Sequence, residues 1–170
     1  MNLKSFWKGF TVGSLLLVLT GVFIYFKIIV QPNISLDQVE VQDLNGTKVE
    51  LNKYLGKPLV VNYWATWCAP CINEFPYFED VKQELGDDVN FVMISDETLD
   101  KIIKFSESKP FSFDYLRSNK NLTEYGIIAR PTTYFYNSKG ELILKHTSGL
   151  DRESLKELIS EAKFQLTLPT

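Results

Sequence analysis

Two thiols two residues apart can exchange disulfides, share a metal or close a small ring, and Cys68 and Cys71 are the only cysteines in this 170-residue chain. They lie in Trp67-Cys68-Ala69-Pro70-Cys71, between a mostly apolar run at residues 59–64 and a helical pattern at 72–85. A structural staple gains from long loops: in the chain-entropy picture a ring of about four residues yields about 2 kcal/mol, against nearly 5 for about a hundred. A closed zinc site needs four nitrogen or sulfur ligands, and one histidine, His146, is all the chain adds to its two cysteines. His146 shares its parity with Leu142 and Leu144 in an alternating stretch, which reads as a packed or surface imidazole, so no metal is expected. Redox exchange fits the spacing and the placement together. At a helix N-terminus, unpaired N–H groups and the dipole favour the Cys68 thiolate and lower its pKa below the free value of about 8.5. Pro70 suits a first helical turn, where its missing N–H costs nothing. Cys71, three residues on, lies on the same face. Cys68 is then the attacking thiol and Cys71 the one that resolves the mixed disulfide.

The elements that must hold these thiols can be read from periodicity. Residues 38–42 and 47–51 alternate around Asn45-Gly46, a hairpin signal. The β-branched run at 59–64 suits a central strand buried on both faces. Ile72, Phe75, Phe78 and Leu85 recur at helical spacing, with Gly86 as a stop. Residues 90–95 read as a second buried strand, and Asp96 as the N-cap of a helix carrying Leu99, Ile102 and Ile103. A short strand at 113–116 and a short helix at 121–125 follow. Residues 132–137 and 141–147 form a hairpin, and Asp151 caps a last helix with Leu155, Leu158, Ile159 and Ala162 inward. Strands alternating with helices describe an α/β fold around a mixed sheet.

Charge and hydropathy divide the chain. Every acidic residue lies after Pro32; from there 15 basic residues face 21 acidic ones, a net of −6. That balance excludes nucleic-acid binding, which needs clustered Lys and Arg. Ahead of it, Lys4 and Lys8 precede the uncharged run 9–26, and residues 10–30 could cross a bilayer if Lys27 snorkels to the headgroups. The positive-inside bias places residues 1–9 in the cytoplasm. A cleavable signal peptide is the competing reading, but no small-residue cleavage site follows the apolar core. Residues 31–36 are a tether of about 20 Å, leaving 37–170 as the folded domain, in a compartment that tolerates disulfides.

Val61-Asn62-Tyr63-Trp64-Ala65-Thr66-Trp67-Cys68-Ala69-Pro70-Cys71 resembles the thioredoxin superfamily, and its membrane-anchored TlpA/ResA-like branch in particular. Cys71-Ile72-Asn73-Glu74-Phe75-Pro76 resembles that branch's C-x-x-E-x-P continuation. Ala129-Arg130-Pro131-Thr132-Thr133 resembles its cis-proline strand, and Ser95-Asp96-Glu97 with residues 111–125 its inserted βα unit. The resemblance implies a thioredoxin-like fold with an N-terminal β-hairpin, a central βα insertion and a transmembrane helix. It makes Cys68 the nucleophile, Cys71 the resolving thiol and Pro131 the cis-proline beside the disulfide, although an ordinary turn proline would also suit that setting. Pro76 is either the proline that kinks the active-site helix or a helix break. Glu74 is read as general acid/base for the buried thiol or as a solvated helix residue. Trp67 shields the thiolate or docks partners, and Trp64 belongs to the core. Arg130 departs from the small or apolar residues commoner before the cis-proline; it would stabilise the thiolate or select an acidic partner.

The dithiol is itself the redox group, so no cofactor is called for. The resemblance implies a monomer in a bacterial cytoplasmic membrane, its domain extracytoplasmic or periplasmic. It would reduce disulfides in exported proteins, with apocytochrome c among the family's substrates, and a membrane electron carrier would recharge it. An oxidase or isomerase would use the same cysteines at another potential, and a non-catalytic binding module would tolerate their loss. A peroxiredoxin-like peroxidase would usually carry Thr or Ser three residues before its reactive cysteine, where this chain has Ala65.

Overall fold

The computed structural model describes residues 3–24, 33–109 and 111–164. The chain divides into two compact units, Met1–Pro32 and Asn33–Thr170. The first contributes helix α1 (Leu3–Ile24), whose side chains from Phe10 to Phe23 are exposed although most are apolar. The remainder of the expected span, Lys27 included, and the tail at 165–170 lie outside the described residues. Among the described residues, no helix is long and apolar enough to cross a membrane.

The second unit is a seven-stranded mixed sheet with helices on its faces. Its strands are β1 (Val41–Gln42), β2 (Lys48–Val49), β3 (Leu59–Tyr63), β4 (Asn90–Ser95), β5 (Asp114–Ser118), β6 (Thr132–Tyr136) and β7 (Leu142–Thr147). Helix α2 (Ala69–Leu85) follows β3, α3 (Leu99–Ser108) follows β4, and α4 (Arg152–Phe164) follows β7. The spatial order is β2-β1-β5-β4-β3-β6-β7. β3 is parallel to β4 and antiparallel to β6, so it is central and all five of its residues are buried.

Strand alternation divides β3 between two cores. Leu59, Val61 and Tyr63 pack on one face with Ile94, Leu116 and Tyr134. Val60 and Trp64 pack on the other with Phe75, Phe78 and Ile159. Phe75 is the hub of that second face: its ring lies 5.2 Å from Trp64, 5.9 Å from Phe105, 5.7 Å from Phe111 and 5.6 Å from Phe113, all edge-on. Edge-to-face rings interlock with little room to collapse, so Phe75→Ala should destabilise the protein by about 3–5 kcal/mol in chemical denaturation.

Several boundaries differ from the pattern reading, each for a local reason. The expected hairpin exists around Gly46, but its strands shrink to two residues each. Leu36–Gln38 and Leu51–Tyr54 wind into 3₁₀ turns instead, while the Asp43 carboxylate takes the Asn45 and Thr47 N–H groups at 2.9 Å. Helix α2 begins earlier, at Ala69, and runs unbroken through Pro76, so Pro76 is not a break; the missing N–H deprives only the Ile72 carbonyl of a helical partner. Asp96 does not cap α3. Thr98 takes the N-cap position, because Asp96 is engaged elsewhere. Asp151 does cap α4, accepting the Ser154 N–H at 2.8 Å.

Candidate active site

Cys68 is the N-cap residue of α2, and Pro70 lies in its first turn. The two cysteines form a disulfide, with Cα atoms 5.3 Å apart, and both are buried. The Cys68 sulfur also accepts the Cys71 N–H at 3.3 Å. When the bond opens, that N–H and the helix dipole remain aimed at Cys68, the arrangement that favours its thiolate. β3 delivers the turn at 64–68 to the end of the sheet at which β6 starts, with Tyr63 opposite Thr132. The Arg130–Pro131 peptide, which is cis, therefore enters β6 beside that turn.

One turn along α2 from Cys71, Glu74 joins a buried polar group of three residues. Register places Asn62 opposite Thr133, and alternation turns both toward α2. Asn62 Nδ2 donates to Glu74 Oε1 at 2.8 Å and to Thr133 Oγ1 at 2.9 Å. Glu74 Oε2 accepts the Leu150 N–H at 2.9 Å. At 2% exposure, Glu74 is not a solvated helix residue. Burial raises its pKa to about 7 despite the lowering effect of the Leu150 and Asn62 hydrogen bonds, because desolvation penalises the charged form. A carboxyl titrating there holds or releases a proton at neutral pH. It lines a cleft of about 380 Å³ bordered by Pro70, Asn73, Tyr77, Gly149 and Leu150.

The two remaining candidates form one contact. Trp67, next to Cys68 in sequence, is 68% exposed. The Arg130 guanidinium lies 5.7 Å from its ring centroid and pairs with Asp96 at 2.7 Å. Arg130 is thus no free cation: its charge is matched within the chain. Trp64 is core, as expected. Thr133, Leu150, Asp96 and Glu97 are site neighbours that sequence reasoning did not assign; each acts through a contact distant in sequence. His146 pairs with Ser148, its Nε2 2.7 Å from Oγ.

The AhpC/TSA family model matches residues 32–145, more than half of the chain and the whole stretch that carries the dithiol and the cis-proline. The chain belongs to the AhpC/TSA family. Within that frame it is similar to the thioredoxin-like protein YneN of Bacillus subtilis, 28% identical over 69% of this chain and 72% of that protein. It is 29% identical to the thiol-disulfide oxidoreductase ResA of Geobacillus thermodenitrificans, over 72% of this chain and 73% of that protein. A crystal structure of a thiol:disulfide interchange protein, DsbE, from Chlorobium tepidum superposes with a TM-score of 0.65 at 22% identity, over 78% of this chain and 94% of that one. That likeness concerns the fold, which is thioredoxin-like. By family and dithiol, this AhpC/TSA protein is a thiol–disulfide oxidoreductase, similar to ResA.

Proposed function

We propose that this protein is a membrane-anchored, extracytoplasmic reductase of disulfides in exported proteins. The observation that carries the chemistry is the Cys68–Cys71 disulfide at the N-terminus of α2, a helix that also carries a buried carboxyl titrating near neutrality. In the reduced protein, the Cys68 thiolate attacks one sulfur of a partner disulfide, and the partner's other sulfur leaves as a thiolate. Cys71 then gives up its proton, with Glu74 one helical turn on as the acceptor, and attacks the Cys68 sulfur. The partner leaves with two thiols, and the two electrons it gained are lost by the Cys68–Cys71 pair. A membrane electron carrier restores the dithiol. Apocytochrome c is the partner to try first, and the protein works as a monomer.

The anchor rests on the apolar run after Lys4 and Lys8 and on the exposed apolar side chains of α1, which call for a cover. Protease treatment of intact cells and of spheroplasts, followed by membrane fractionation, tests it. The domain should stay with the membrane and be cleaved only from outside; recovery in the soluble fraction would reject the anchor. Direction is tested by equilibrium with redox buffers. A reductase should sit near the thioredoxin value of about −270 mV, whereas an equilibrium near about −120 mV would make it an oxidase. The peroxidase reading is disfavoured by Ala65, and consumption of hydrogen peroxide by the reduced protein at enzymatic rates would restore it.

A further inference from the structure

Three loops meet at the strand ends beside the dithiol, and a dipeptide in the loop after β4 binds the other two. β4 runs parallel to β3, with Ile94 opposite Tyr63, so the chain leaving β4 emerges beside the turn that leads to Cys68. Its first two residues after the strand are Asp96 and Glu97. Glu97 Oε2 accepts the Thr66 N–H at 2.5 Å, and its Oε1 accepts the Thr66 hydroxyl at 2.9 Å. Thr66 is two residues before Cys68. Asp96 Oδ2 accepts the Leu122 N–H at 2.9 Å and Arg130 at 2.7 Å, and Arg130 immediately precedes Pro131. Both acids are largely buried, with side-chain exposures of 8% for Glu97 and 14% for Asp96, and Arg130 is only 10% exposed.

The dipeptide is in turn fixed from its own side. Glu97 N–H donates to Ser95 Oγ at 3.3 Å, and Arg117 Nε donates to the Glu97 carbonyl at 3.1 Å. The nearest cation to the Glu97 carboxylate is the exposed Lys101, at 3.4 Å. Burying a carboxylate with so little opposing charge is costly; a charged bond to both donors of one residue is what offsets it. A neutral acceptor would have closed the same turn with less burial cost, but could not hold the backbone and hydroxyl of Thr66 together as strongly.

We propose that Asp96 and Glu97 are positioning residues for disulfide exchange, Glu97 fixing the turn that carries the Cys68 nucleophile and Asp96 fixing the Arg130–Pro131 peptide against which a polypeptide partner lies. The proposal rests on the oxidoreductase reading above. The two halves act on different steps. Displacing the nucleophile affects chemistry, whereas displacing the peptide wall affects docking.

Insulin reduction by the purified full-length protein separates these effects. Glu97→Gln should lower kcat about tenfold with KM within about twofold, and Asp96→Asn should raise KM about tenfold with the smaller change in kcat. Thr66→Val removes only the hydroxyl bond and serves if Glu97→Gln fails to fold; it should give the same kcat-selective loss at about threefold. Loss of thermal stability with both kinetic constants within twofold would make the dipeptide a folding element only and overturn the proposal. Equal changes in kcat and KM for both variants would do the same. An inactive wild-type protein would reject the oxidoreductase reading instead. The clamp is then judged by hydrogen exchange of residues 64–68, which should be slow in the wild type and accelerate in Glu97→Gln; fast exchange in the wild type would overturn it.

Discussion

Replacing Cys71 with serine should turn the protein from a catalyst into a trap. Cys68 holds the N-cap position, where its sulfur faces the Cys71 N–H and the helix dipole, so in the reduced state it is the more readily ionised thiol. Cys71 lies within the first turn, fully buried, and bonds the Cys68 sulfur. Cys71→Ser leaves the first attack intact and removes the second, because a hydroxyl does not displace a thiolate at neutral pH. Turnover should fall at least about a thousandfold while disulfide-linked complexes accumulate on non-reducing gels. Cys68→Ser should lose the same turnover and accumulate nothing. Complexes on the Cys68→Ser variant alone would reverse the two roles. Full biological activity of both variants would make the fold a binding module. The trapped partners also identify the substrate, and partners unconnected with exported electron-transfer proteins would reject the cytochrome assignment.

Much of this site was legible because its signals are local. The Leu59–Tyr63 run, the cysteine spacing and the recurrence of Phe75 and Phe78 each lie within a few residues, and the strand, disulfide and helix follow them closely. The failures share the opposite cause. Asp96 looked like a helix cap because capping is judged from the next three residues, whereas its partners are Leu122 and Arg130, 26 and 34 residues on. Arg130, read as a cation for the thiolate or for an acidic partner, pairs instead with Asp96. Glu74 stood midway between solvated and buried until Leu150, 76 residues away, was seen to cover it. Asn62 and Thr133 meet through strand register, which the sequence implies only once the order of strands is known. What a dithiol can do was visible in its spacing; what tunes it is tertiary.

The tuning should be visible in stability before it is visible in rate. In the unfolded chain Glu74 ionises near its ordinary value of 4.5, and in the oxidised fold near 7. Between those values the folded protein holds a proton that the unfolded chain releases, so Glu74's contribution to stability is fully present below about pH 4.5 and is lost as pH rises through about 7. At 1.36 kcal/mol per pKa unit, the difference amounts to about 3 kcal/mol. Glu74→Gln should abolish that slope in urea titrations at pH 5 and pH 8, leaving a protein stabler than wild type at the higher value. The amide can be accommodated because Asn62 Oδ1 is buried without a partner. Rotating the Asn62 amide offers that oxygen to an N–H of the introduced amide while the Thr133 hydroxyl turns to donate, and a protonated Glu74 would be met in the same way. An unchanged pH slope would mean that the carboxyl is hydrated through the cleft and titrates normally. The kinetic counterpart follows from the same proton. In the Glu74→Gln variant it has nowhere to go, so resolution by Cys71 should slow and lose its inflection near pH 7. If the exchange rate and the thiol pKa values were untouched, Glu74 would be a buried structural carboxyl and Cys71 would lose its proton directly to water.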